Sequence, residues 1–152
     1  MSSLSKDFLY NQLIATQVTN AVVVTADANS ASVDMLGYNS LAFVVNVGIE
    51  GDTLSGSVKF DLEIEESADD STFADSAAAD VWSKSITAAG AAASTPWATL
   101  DAIAEAPAQH VCHYLGTARY VRCVINATGT HTNGTPIGIT ALRGKADTLP
   151  AT

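Results

Sequence analysis

The chain has 152 residues, 47% of them hydrophobic and only 15% charged, with sixteen Asp and Glu against seven Lys and Arg for a formal net charge of −9. That length is enough for one domain to bury a core without metal or disulfide staples. An acidic chain with no basic run has nothing to hold phosphates, so direct nucleic-acid binding is excluded as its task.

The opening residues, Met1 to Asp7, lack the charged start and long apolar stretch of a secretory signal. The longest nearly apolar run, Leu41 to Ile49, is about half of what a membrane helix needs. The expectation is a protein made in the cytoplasm, with no membrane partner and with Cys112 and Cys123 as free thiols. Residues 1–17 differ from the rest: Phe8, Leu9, Leu13 and Ile14 recur at roughly helical spacing, with Tyr10 offset and Ser5 placed to cap. A short helix or an extended N-terminal arm is expected there, then a β-domain over 18–145 and a tail over 146–152.

Strand signals then dominate. The β-branched run from Ala21 to Ala26 closes on the turn cluster Asp27-Ala28-Asn29-Ser30, and Ser32 to Leu36 closes on Gly37. Leu41, Phe43, Val45, Val47 and Ile49 alternate, which at period two puts all five on one strand face. Val58, Phe60, Leu62 and Ile64 alternate with Lys59, Asp61, Glu63 and Glu65, the pattern of a strand with one buried and one wet face. Residues 74–95 are Ala-rich without long apolar anchors and read as a long loop with one short strand at Val81-Trp82-Ser83. Leu100 to Ala104 fits a helical turn or another short strand, and Val111, His113 and Leu115 suggest one more. Tyr120 to Thr128 places Val121, Cys123, Ile125 and Ala127 on one face; a polar hairpin loop with Asn133-Gly134 leads to Ile137, Ile139, Ala141 and Arg143. About seven or eight short strands with no βα repeat indicate an all-β, two-sheet antiparallel sandwich of jelly-roll or Greek-key type.

The residues that invite chemistry lack their partners. His110, Cys112 and His113 form H-x-C-H, but zinc wants four ligands, and on a strand the two histidines point to opposite faces. His131 lies among Thr and Asn in the hairpin loop and reads as a solvated side chain. No nucleophile elbow or phosphate loop occurs. The acidic run Glu63 to Asp75 does not match a calcium loop and reads as a solvated edge that discourages strand pairing. No catalytic, cofactor-binding or metal site and no small-molecule substrate are therefore expected, and the chain is not expected to be an enzyme. Trp82, Trp97, Tyr38, Tyr114 and Tyr120 are the aromatics available for a carbohydrate platform, although the tryptophans more naturally anchor a core or an interface.

Two segments carry a family likeness. Tyr114-Leu115-Gly116-Thr117-Ala118-Arg119-Tyr120-Val121-Arg122-Cys123-Val124-Ile125, continued by Ala127-Thr128-Gly129-Thr130, resembles a pattern of small virion proteins of tailed bacteriophages. Leu62 to Phe73 looks like the strand followed by Ser-x-Asp-Asp/Gly-Ser-Thr-Phe of the same proteins, and with Gly134-Thr135-Pro136-Ile137 the resemblance covers about half of the chain. It implies a structural protein of the virion, most like the jelly-roll cement or decoration proteins that clamp the capsid exterior as dimers or trimers. The implied partners are the major capsid protein and further copies of the chain. A head–tail connector or tail component is the near alternative, and a carbohydrate-binding module aiding host adhesion the distant one. The likeness carries no functional residues across. Phe8, Tyr10, Trp97, Arg119 and Arg122 are the candidate partner contacts, with one of the two arginines expected to serve the fold and the other an acidic patch on a partner.

Overall fold

The computed structural model describes residues 13–83 and 96–147. Its strands are β1 (Leu13–Val24), β2 (Ala28–Asn29), β3 (Val33–Asp34), β4 (Tyr38–Val47), β5 (Lys59–Ser67), β6 (Ala74–Asp75), β7 (Val81–Ser83), β8 (Ala98–Leu100), β9 (Ala108–Tyr114), β10 (Tyr120–Thr128) and β11 (Thr135–Ala146). Two single 3-10 turns, Ala78–Asp80 and Ile103–Glu105, are the helical pieces among the described residues, so no helix there is long and apolar enough to cross a membrane.

The strands form two antiparallel sheets. The first has the order β1-β11-β4-β9-β7. The second has the order β2-β10-β5-β6, with β3 also on β10 and β8 also on β5. The pairing is nested: β1 with β11, β2 and β3 with β10, β4 with β9, and β5 with β8. A long two-stranded ribbon folded over on itself gives this order, which is that of a jelly roll. β6 and β7 are additions within the connection from β5 to β8.

Alternation builds the core. Leu41, Phe43, Val45 and Val47 of β4 and Ile137, Ile139 and Ala141 of β11 face Phe60, Leu62 and Ile64 of β5 and Val121, Cys123 and Ile125 of β10. All are nearly free of solvent contact and form one cluster between the sheets. Registers hold the phases together: Phe43 stands opposite Ala141 and Cys112, and Leu62 opposite Ile125.

Several expectations are corrected. Leu13 to Gln17, assigned by helical spacing to an N-terminal helix or arm, belong to β1, while residues 1–12 lie outside the described residues. Ile49 falls beyond the end of β4 and is 73% exposed, because the chain leaves the sheet after Val47. In β9 the buried side chains are Cys112 and Tyr114, so Val111, His113 and Leu115 share the opposite phase. Among the described residues eleven strands replace seven or eight, since β2, β3 and β6 have two residues each, too few to show a period. The stretch between Phe73 and Pro96 holds β6, a 3-10 turn and β7; residues 84–95 lie outside the described residues. Residues 98–105 supply both a strand and a helical turn.

Candidate interaction surfaces

The residues that invited chemistry are absorbed by the fold. His131 is buried rather than solvated. Its ring stacks on Phe60 with centroids 4.0 Å apart, and Nε2 lies 3.1 Å from the Thr128 carbonyl and 3.3 Å from that of Lys59. Two acceptors at Nε2 put the ring proton there. His110 directs Nε2 at the Glu105 carbonyl, 3.1 Å away, whereas His113 sits on the other face of β9 beside Trp82. The H-x-C-H cluster is thus divided between the two faces of a strand, and no three His, Cys, Asp or Glu side chains converge on a metal position among the described residues. Both thiols are in the core. Burial pushes Cys123 up to about 12 and Cys112 well above its ordinary value, which keeps them protonated and unreactive.

The candidate partner contacts divide in the same way. Phe8 and Tyr10 lie outside the described residues. Trp97 is 4% exposed within the core, with its backbone N–H donating to the Leu62 carbonyl, so it anchors the sandwich and offers no surface. Arg122 donates to Glu65 from both Nε (2.7 Å) and Nη2 (2.6 Å) and covers the Phe73 ring at 4.1 Å. Arg119 pairs two-pronged with Asp34, at 3.1 and 3.0 Å, and holds that carboxyl below its usual range despite some burial. Both arginines have partners within the chain; Arg119 remains half exposed.

Residues 62–73 and 114–130 lie together. The β5–β10 register pairs Glu65 with Arg122 and Ile64 with Cys123. The Tyr114 hydroxyl donates to Glu66 and accepts the Ala118 N–H at 3.0 Å, tying the β9–β10 loop to β5. Gly116 is needed in that loop because a Cβ there would overlap the Tyr114 ring and hydroxyl. In the turn after β5, Asp69 accepts from Ser67, Ser71 and Thr72, and these bonds depress its carboxyl strongly. These contacts latch β5 and β10 together through their adjoining turns.

Two surfaces remain. A groove of about 580 Å³ opens at one end of the sandwich, between the β3–β4 turn, the β9–β10 loop and the end of β11. Leu36 and Leu115, 68% and 61% exposed, form its apolar walls. Tyr38, covered by Arg143 at 4.5 Å, together with Arg119 and Lys145, collects much of the chain's scarce positive charge nearby.

The larger surface is the outer face of the first sheet. Registers align Ala15, Leu142, Ala42, His113 and Trp82 in one row across it, and Gln17, Thr140, Val44 and Val111 in the next. Gly138, Asn46 and Gln109 follow. No Asp, Glu, Lys or Arg stands in these rows. The outer face of the second sheet is the opposite: Asp61, Glu63, Glu65 and Asp75 crowd there, with Lys59 and Arg122 to offset them among the described residues. Burial, and then the neighbouring Asp75, raise the Glu63 carboxyl above its ordinary value. Sequence inspection missed this contrast because alternation identifies the outward residues of each strand but not which strands lie side by side.

No family model and no curated protein matches this chain. A solved structure that does match is that of the SPBc2 prophage-derived protein YomS, with a TM-score of 0.48 and 7% identity over 88% of this chain and 95% of that one.

Proposed function

We propose that the chain is a non-enzymatic structural protein of a tailed-phage virion, a cement or decoration protein that binds the outer surface of the head. In this reading it bridges neighbouring major capsid protein subunits as a homo-oligomer. The carrying observation is the uncharged outer face of the first sheet, set against an acidic second sheet. An uncharged β-surface of Thr, Gln, Asn, Ala and Val sheds water at little cost when it docks, since no ion must be stripped. Acidic residues turned the other way keep particles coated with the protein from adhering to one another. The likeness of the β5 and β9–β10 segments to small tailed-phage virion proteins supports the same reading.

A repeating shell needs only weak single contacts, because one bridging molecule engaging two subunits gains from the second contact at high effective concentration. Mixing the purified chain with empty, expanded capsids of its own phage tests this. Saturable binding of hundreds of copies per particle is the expected result. About six or twelve copies would mark a connector at a symmetry axis instead. Retention on glycans that Trp82→Ala abolishes would mark a carbohydrate module. That last reading has little platform to stand on: of the described aromatic side chains, Trp82 at 42% is the large exposed one.

A further inference from the structure

The last strand of an open sheet leaves a row of unpaired N–H and C=O groups, and folded chains keep such edges short, charged, kinked or covered. Three of the four sheet edges here are short: β7 has three residues, β2 and β3 two each, and β6 and β8 two and three. The fourth edge is β1, twelve residues with neither a charge nor a proline. Among the described residues no strand pairs with its outer side. Register shifts fall between Gln17 and Thr19 and between Thr19 and Val22, and the Val18 carbonyl accepts the Ala31 N–H at 2.9 Å. Beyond them the strand is regular again from Val22 to Val24. Val22 stands at an inward register position and Val23 at an outward one, yet they are 51% and 58% exposed.

The backbone there points outward. Val23 lies opposite Pro136, which has no N–H, and the Pro136 carbonyl is turned away from β1 to accept the Gly48 N–H at 2.7 Å. Val23 therefore stands at a non-hydrogen-bonded position of the β1–β11 ladder, and its own N–H and C=O face the open edge.

We propose that the outer edge of β1 pairs with β1 of a second copy of this chain. One edge meeting itself across a two-fold axis is necessarily antiparallel. The two five-stranded sheets then become one continuous sheet. Charge favours a second copy as the occupant. At a net charge of −9 most approaches bring carboxylate against carboxylate, whereas β1 and the adjoining outer face bring none. The inference assigns an interface to the homo-oligomer of the proposed function but rests on the strand edge, not on the virion.

Sedimentation and native mass spectrometry of the full chain, with no capsid present, test it. The wild type is expected as a dimer at tens of micromolar. Val23→Pro removes only an outward N–H at a sheet edge, where proline is tolerated, and is expected to give a monomer with an unchanged far-ultraviolet spectrum. Should that variant misfold, Val23→Lys and Val23→Glu are each expected as monomers that form a mixed dimer when combined. A monomeric wild type overturns the proposal, as does a dimer that survives all three substitutions. A monomeric wild type that still coats capsids leaves the virion reading standing, and a dimer that ignores capsids does the reverse.

Discussion

His131 shows how far a residue's type can mislead about its place. In sequence it sits among glycine, threonine and asparagine, the composition of a wet loop. In the fold it is buried against Phe60, with two carbonyls at Nε2. Three contacts at long range in the chain or across a turn decide the matter, and none of them leaves a periodic trace. Trp97 errs the other way, since its bulk suited an interface as well as a core. His131→Ala removes the stacked ring and strips the two carbonyls of their donor. The expected loss is about 3 kcal/mol of unfolding free energy, read as a lower urea midpoint at an unchanged slope. A loss under about 1 kcal/mol would show that the loop collapses around the gap.

At the scale of elements, what alternates was legible and what does not was hidden. β4, β5, β10 and β11 each run nine residues or more with one face in the core, so period two stands out in their sequences. β1 is as long but carries register shifts that break its period, and its leading Leu13-Ile14 continued a helical spacing. The two-residue strands have no period to read. Alternation also placed Glu63 on a wet face without revealing its crowding. Its carboxyl is raised, by burial first and then by Asp75, so the neutral form is the one the fold prefers. Such a group contributes stability below its unfolded value of 4.5, and that contribution is lost as pH rises through the folded value. The Asn126 side chain donates to the Glu63 carboxyl, and Glu63→Gln keeps the neutral shape and an acceptor for that bond at every pH. It is expected to add about 0.5 kcal/mol near pH 7, roughly 2 °C in melting temperature. The gain should fade below about pH 4.5, where the wild type is itself protonated. A gain that persists unchanged at pH 3.5 would assign the effect to packing rather than charge.

For the molecule as a whole, a sandwich of jelly-roll or Greek-key type followed from strand count and turn spacing, but the nested strand order that makes it a jelly roll did not, because pairing between residues a hundred apart leaves no local mark. The order matters, since it decides that uncharged outward residues collect on one sheet and acidic ones on the other. If the first sheet is the capsid-facing side, a charge placed in its middle must be desolvated on docking, while the same charge on the second sheet stays in water. Val44 and Val111 stand opposite each other at that centre and are only half buried, so Val44→Glu leaves the core untouched. It is expected to lower capsid occupancy at least tenfold, equivalent to about 1.4 kcal/mol, with thermal stability changed by less than about 1 kcal/mol. Asn126→Glu, on the outer face of β10, adds the same charge to the opposite side and is expected to leave occupancy as it was. Equal occupancy for both variants would move the contact off the first sheet, with the end groove between Leu36 and Leu115 the next surface to mutate.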